Sequence, residues 1–459
     1  MTMHSSPMGK LRGIVIVLCL AVILGIFGYA YVNDVKNSVA DKDVIIENVE
    51  SLEKNPSYHY VSTYIKRECG IGNIYESKVN SIESILETEF YTELPDEMEI
   101  AKTTSLLFLE YFYDNIDLED KDAVTDAVLK CMLASIGDPY AYYRTAEEFD
   151  EYLADIAGGG EFVGIGIMID RNTLVIGTVF NGSGADEAGI KRGDKLHGVG
   201  DKTVNDTDNE TLLNMIAGEE NSTVEITVER GGELYTYTVT RKLIANVSVT
   251  YNMEMDSIGY IQITQFVAAT PEEFATAVDA LTEAGAKALI IDVRNNPGGL
   301  LNSVVDVIDY IVPDAEDRMI ASYTHSGGEY VYYTTDEHSV DLPIAVLCNG
   351  GTASAGELFT GAMRDYGNEG ILETVIIGDT TYGKGVAQTS YTLSDGSGIT
   401  FTIGYFNPPS DVNFNGVGVI PDITVEDNYE SDIHVSVAIG ELTEMLMNSE
   451  AELISLLAA

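Results

Sequence analysis

Apolar positions along the chain follow three successive patterns. From Glu99 to Ile156 they recur at helical spacing, as in Leu106, Leu107, Leu109 and Tyr113, then Ala127, Val128, Cys131 and Met132. That period predicts packed helices. Gly137-Asp138-Pro139 ends the second helix, and Thr145 followed by Glu148 offers a capping box for a third. Residues 161–245 change character: FVGIGIMI, LVIGTVF, KLHGVG, TVEITVER and YTYTVTRKL are short β-rich runs between Gly, Asp and Asn turns, with room for one helix at Glu210–Ala217. From Tyr260 onward strands alternate with helices. YIQITQF precedes a helix from Pro271, ALIIDV a helix from Leu300, and IAVLCN a helix from Ser354, before VIIGD. Such alternation predicts an α/β layer with a largely parallel sheet.

The expected architecture is therefore multidomain α+β. Residues 33–99 form a helical spacer without nameable chemistry, and 100–157 a helical region. A β-rich domain spans 160–245, an α/β core 246–430 and a C-terminal helix 431–459. Gly158-Gly159-Gly160 marks the first main boundary.

The N-terminus changes the picture. Gly13 to Val32 is a run of twenty residues without a charge, long enough to cross a bilayer as a helix. Lys10 and Arg12 precede it and Asp34 follows, so residues 1–12 are expected in the cytoplasm and the remainder outside. The expectation is a single-pass anchor at the cell membrane, with the chain beyond Asn33 extracytoplasmic. The alternative is secretion after cleavage near Gly28-Tyr29-Ala30. Leu18 before Cys19 argues against lipidation.

Charge narrows the partners. With 74 acidic and 25 basic residues, a net of −49, the surface repels phosphate, and no nucleic-acid partner is expected. Cys69, Cys131 and Cys348 follow the apolar run; a Cys69–Cys131 bridge is left open, and Cys348 reads as a small buried hydrophobe. No Cys/His cluster has metal-ligand spacing, so neither metal nor cofactor is expected.

Candidate chemistry lies in four segments. In Glu161-Phe162-Val163-Gly164-Ile165-Gly166-Ile167, two glycines two apart can turn backbone N–H groups onto one anion, such as a peptide's terminal carboxylate. Gly298 and Gly299, in Asp292-Val293-Arg294-Asn295-Asn296-Pro297-Gly298-Gly299, can offer N–H groups to an oxyanion. Asn349-Gly350-Gly351-Thr352-Ala353-Ser354-Ala355-Gly356-Glu357 puts a serine between strand and helix, although a lone serine there is usually an N-cap. It departs from the G-x-S-x-G elbow at Thr352. Thr381-Tyr382-Gly383-Lys384-Gly385 is no phosphate loop, because Gly385 stands where Ser or Thr is required. None of the six histidines sits at a strand end beside a glycine turn, so a lysine is the better base candidate; an esterase using His338 is the alternative.

Residues 161–245, with Ala188-Gly189-Ile190-Lys191-Arg192-Gly193-Asp194, resemble a PDZ domain, a module that binds peptide C-termini. Residues 100–430 together resemble the carboxyl-terminal-processing, or tail-specific, serine peptidases. The likeness includes Leu133-Ala134-Ser135-Ile136-Gly137-Asp138-Pro139-Tyr140, Phe406-Asn407-Pro408-Pro409 and Gly418-Val419-Ile420-Pro421-Asp422. It implies a crotonase-like protease core with Ser354 as nucleophile, three residues before Glu357, Lys384 as base, and Gln388 orienting that lysine. The N–H groups of Ala355 and the Gly298-Gly299 turn would form the oxyanion hole. Gly164, Ile165, Gly166 and Ile167 would hold the substrate carboxylate, with Phe162, Ile165 and Ile167 lining an apolar pocket.

The chain departs from the family pattern in three ways: Thr352 and Gly356 replace serines, the dyad spacing of 30 residues is long, with Asn368–Thr374 absorbing the excess as a loop, and residues 34–99 lie outside the resemblance. A lysine base must move from ~10.4 toward ~7, about 4 kcal/mol, which burial supplies and a neutral amide preserves. Expected substrates are proteins or peptides with free C-termini, with self-association left open. A catalytically silent PDZ scaffold is the alternative from another class.

Overall fold

The computed structural model describes residues 60–91, 94–158, 161–169, 173–245, 247–255, 257–325, 327–335, 338–425 and 432–457. The expected segments 1–12 and 13–32, and the 33–99 segment up to residue 59, lie outside the described residues. The chain divides into two compact units. One comprises residues up to Tyr152 with His325–Gly328 and Ala387–Gly404; the other holds Leu153–Thr324, Glu329–Val386 and Tyr405 to the end.

In the first unit, helices α1 (Tyr60–Glu68), α2 (Glu76–Glu89), α3 (Glu97–Tyr111) and α4 (Lys121–Ser135) precede strand β1 (Tyr142–Arg144) and the start of helix α5 (Ala146–Ala157), whose residues from Leu153 belong to the second unit. Asp96 and Asp120 cap α3 and α4 through their carboxylates, which satisfies otherwise orphaned N–H groups. The expected box at α5 is present: Thr145 N–H donates to Glu148, and Glu148 N–H to the Thr145 hydroxyl. Val61, Ile65, Val79, Ile82 and Leu86 pack in one core with Phe108, Val128, Met132 and Phe401. Residues 60–91 are thus no separate spacer; their apolar stripe completes the core that α3 and α4 begin. Cys69 and Cys131 are buried free thiols in that core, pushed by burial up to about 11 and about 12.

The second unit contains the β-rich domain. It comprises β2 (Glu161–Gly164), β3 (Ile167–Ile169), β4 (Ile176–Val179), α6 (Gly184–Ala188), β5 (Lys195–Val199), β6 (Lys202–Thr203), α7 (Asn209–Ile216), β7 (Thr223–Arg230), β8 (Glu233–Thr240) and β9 (Lys242–Ala245). Ile165, Ile176, Leu196, Leu212, Ile226 and Val239 fill its core. Ile165 is 2% exposed, so its side chain anchors the glycine loop instead of lining a ligand pocket.

The α/β core follows: β10 (Val249–Met255), β11 (Ile258–Ile263), α8 (Thr270–Glu283), β12 (Ala288–Asp292), α9 (Leu301–Ile311), β13 (Met319–His325), β14 (Gly328–Tyr333), β15 (Ile344–Cys348), α10 (Ala355–Asn368), β16 (Thr374–Gly378), then β17 (Val386–Thr392) and β18 (Gly398–Asn407), whose residues 387–404 belong to the first unit, and β19 (Ile423–Thr424) and α11 (Ile433–Leu457). Its six-stranded sheet runs β10-β11-β12-β15-β16-β19, parallel throughout except for the β10–β11 hairpin. β12 and β15 are buried at every position, as strands covered on both faces require. Val435, Ala438 and Leu442 of α11 close over Ile290, Ala345 and Leu347. The extra residues before β16 form a loop over 369–373. Among the described residues no helix is long and apolar enough to cross a membrane.

Candidate active site

β12 and β15 are neighbouring parallel strands, with Asp292 beside Leu347, so the turns that follow them emerge side by side. This is the end of a parallel sheet where ligands gather. Asn349 clasps the two turns together: its side chain accepts from Asn295 N–H (2.9 Å) and donates to the Asn295 amide oxygen (3.1 Å). Ala353 N–H donates to the Asn296 carbonyl (2.8 Å). Thr352, wholly buried, donates to the Val293 carbonyl (2.8 Å) and accepts from Asn349 N–H (3.1 Å). Threonine therefore keeps the hydroxyl that serine would provide. Its Cγ2 lies 3.1 Å from where a Gly356 Cβ would stand, so the extra methyl at 352 occupies the room vacated at 356. The two departures compensate.

Ser354 sits at the N-cap of α10 with φ 55° and ψ −119°, a conformation that costs a residue with a Cβ of order 1–3 kcal/mol. The turn presents its side chain at the helix N-terminus. Gly298 packs directly beneath; a Cβ there would come within 2.6 Å of the Ser354 Cβ and 2.9 Å of the Ala355 nitrogen. Only glycine lets the two turns touch. The Gly298 N–H is committed to the Asn296 side chain (2.8 Å). Among the described residues nothing accepts from Gly299 N–H or Ala355 N–H, so these two amides are unpaired beside Ser354.

Glu357, wholly buried, joins serine to lysine. Its carboxylate accepts from Ser354 N–H (2.9 Å), Lys384 N–H (2.7 Å), Gly383 N–H (2.6 Å) and the Thr381 hydroxyl (2.6 Å). Tyr382 N–H also donates to the Thr352 carbonyl (2.9 Å). The Ser354 turn and the lysine loop, 30 residues apart, are thus bound together through one carboxylate. Lys384 itself is half-buried. Gln388 belongs to the other unit, on β17, where its amide donates to the Thr402 hydroxyl (3.3 Å). Thr402 is held in turn by Asp138, which accepts from its N–H (2.7 Å) and its hydroxyl (3.1 Å). His338 is exposed, stacked on Tyr310 and bonded to its carbonyl (2.8 Å). Burial pushes the Cys348 thiol up to about 12, which suits an inert core residue.

A largely buried ion network adjoins the Gly298-Gly299 turn. Arg294 donates to Asp292 (Nε, 3.0 Å to each oxygen) and to both Asp432 oxygens (2.9 Å each), and Arg192 pairs with Asp432 and covers the Tyr260 ring at 4.1 Å. Tyr260 donates to Asp292 (2.6 Å), and burial raises its hydroxyl well above the ordinary range. Burial alone would raise Asp432, but the hydrogen bonds and charges of Arg294, with Arg192, hold it well below the usual carboxylate range. Arg192 lies in the β-rich domain and Arg294 opens the Gly298-Gly299 turn, so Asp432 links the two.

In the β-rich domain Gly166 has φ 82°, and a Cβ would fall 2.2 Å from that of Ser183. The carbonyls of Ile165 and Gly166 accept from Ala185 and Phe180 N–H (2.8 and 3.0 Å). Among the described residues nothing accepts from the Ile165 and Gly166 amides. Gly164 ends β2, and Ile167, half-buried, opens β3.

A strained serine between strand and helix, beside unpaired amides and a lysine loop on an α/β core with a small β-domain, defines a serine hydrolase. The comparisons give the particular family. The profile of peptidase family S41 matches residues 257–425, and that of a PDZ domain matches residues 162–240. A protein of Staphylococcus saprophyticus named "Probable CtpA-like serine protease" is 30% identical over 345 residues, which is 74% of this chain and 68% of that protein. One of the same name from Staphylococcus aureus is 30% identical over 312 residues, 67% of this chain and 61% of that protein. A Bacteroides fragilis crystal structure named "Putative S41 protease" has the same fold, with 16% identity and a TM-score of 0.50 over 77% of this chain and 99% of that one. The chain belongs to peptidase family S41, the carboxyl-terminal-processing serine peptidases, and carries an internal PDZ domain. The silent-scaffold alternative is not favoured.

Proposed function

We propose that this peptidase cleaves proteins near their C-termini with a Ser354/Lys384 dyad. Ser354 attacks the peptide carbonyl while neutral Lys384 accepts its proton. Ala355 and Gly299 N–H stabilise the oxyanion, and the Gln388 amide orients the lysine without adding a charge that would keep it protonated. The observation that carries this reading is the Glu357 carboxylate, which binds both Ser354 and Lys384 backbones while Ser354 holds its φ of 55°. A fluorophosphonate is expected to label Ser354, located by mass spectrometry, and to leave Ser354→Ala unlabelled. Labelling elsewhere, with Ser354 untouched, rejects the assignment.

The PDZ loop Gly164–Ile167 captures the substrate's terminal carboxylate through the amides of Ile165 and Gly166. Gly13–Val32 anchors the chain with its catalytic part extracytoplasmic; protease added to stripped, intact cells should digest residues beyond Asn33, and full protection would reject this orientation.

A further inference from the structure

Two residues outside the Ser354 turn and the lysine loop decide how the Gln388 amide lies. Gln388 is on β17, which pairs with β18, and β18 carries Thr402. Gln388 Nε2 lies 3.3 Å from the Thr402 hydroxyl. Behind Thr402 stands Asp138, which follows Gly137 (φ 83°) in the turn after α4. Its carboxylate accepts from Tyr140 N–H (2.9 Å), Thr402 N–H (2.7 Å) and the Thr402 hydroxyl (3.1 Å). Thr402 is 1% exposed and Asp138 8%, so these bonds are made away from solvent. All three residues belong to the first unit.

The direction of each bond follows from the count of protons. A carboxylate only accepts, so the single Thr402 hydroxyl proton goes to Asp138. What Thr402 Oγ1 offers Gln388 is then a lone pair, and Gln388 must donate to it. Nε2 therefore faces Thr402, and Oε1 is turned away from it. The oxygen and nitrogen of a glutamine amide have nearly the same shape, so packing alone admits either orientation. Asp138, acting through the hydroxyl, admits one.

We infer that Asp138 and Thr402 are positioning residues, which set the Gln388 amide so that its carbonyl and not its NH₂ is offered to Lys384. The inference rests on the dyad reading and deepens it. A neutral lysine amine has one lone pair, and that lone pair must meet the Ser354 proton. A glutamine carbonyl accepts an amine N–H and leaves the lone pair free. A reversed amide would donate into the lone pair and occupy the base. The first unit thus supplies the orientation of the glutamine, from a carboxylate 264 residues before the threonine it holds.

The test measures kcat of the full-length enzyme on a saturating quenched fluorescent peptide. Thr402→Val keeps the side-chain shape without the hydroxyl, and should lower kcat about 10- to 100-fold with KM within about twofold. Thr402→Ser keeps the hydroxyl and should stay within about threefold of the wild type. Where valine lowers the thermal melt, Thr402→Ala, which also lacks the hydroxyl, should show the same loss. Gln388→Ala should lose about 100-fold by itself. Adding Thr402→Val to it should change kcat by less than about twofold, because no amide is left to orient. Hydroxyl-free variants with the wild-type kcat, or a Thr402→Val loss repeated in full on the Gln388→Ala background, overturn the positioning role alone, as does Gln388→Ala at the wild-type rate. Lys384→Ala at the wild-type rate overturns the dyad reading and the positioning role with it.

Discussion

The PDZ loop and the Ser354 turn both present unpaired amides, yet they are built by opposite means. In the PDZ loop the unusual backbone falls on Gly166, which adopts φ 82° freely and leaves the space that Ser183 fills. In the Ser354 turn it falls on a residue that pays for its side chain in strain, and the turn is restrained by hydrogen bonds in which the Asn296 carbonyl and Glu357 carboxylate accept from Ala353 and Ser354 N–H and the Thr352 hydroxyl donates to Val293. A ligand loop can rely on glycine because it needs only backbone donors. A nucleophile cannot, since the side chain is the reagent, so the surrounding structure must hold it in place.

The largest break in this comparison should come from Glu357→Gln. A neutral amide cannot accept from four donors and brings an N–H₂ against some of them, at about 1–3 kcal/mol. Loosening the lysine loop against the serine by about 1 Å should lower kcat about 100-fold. Titration of the remaining activity would show whether positioning alone is lost; a variant with wild-type kcat would mean that the carboxylate is not the restraint.

Next is the PDZ loop. Amidating a peptide substrate's C-terminus removes the charge its amides bind, a loss of about 1.5–3 kcal/mol, or about 10- to 100-fold in apparent affinity. The effect should appear in KM at limiting substrate and spare kcat. Free and amidated peptides cut equally would reduce the domain to a spacer.

The smallest effect should be the acid response of the ion network between the two regions. Asp432 titrates lower folded than unfolded, so its contribution to stability is complete above about pH 3.9 and fades as pH falls through the depressed folded value. Melting temperature should therefore drop in acid, and Asp432→Asn, which leaves Arg294 with Asp292 and Arg192 with Glu254 but removes the carboxylate they share, should lack that component. Parallel acid profiles for the two proteins would remove Asp432 from the account.

Much of this was legible because it is local. The capping box of Thr145 and Glu148, the strands ALII and IAVLC, and the loop before β16 each carry their signal within a few residues. What stayed hidden depends on distant partners. Asp138 reads as a helix breaker, while its carboxylate holds Thr402, 264 residues on. Glu357 stood out only by its spacing from Ser354; no sequence rule shows that it accepts from Lys384. Ile165 looked like a pocket residue because loop periodicity does not tell which way a side chain turns, and burial in the PDZ core decided it. The 60–91 helices read as a spacer because their apolar positions are sparse and gain meaning only against α3 and α4.

The dyad itself is tested most directly by peptide cleavage in Lys384→Ala, read beside its folding. The account predicts a native melt with turnover reduced to background, because Ser354 keeps its restrained turn but loses its proton acceptor. A Lys384→Ala enzyme that folds and cleaves at the wild-type rate would contradict it.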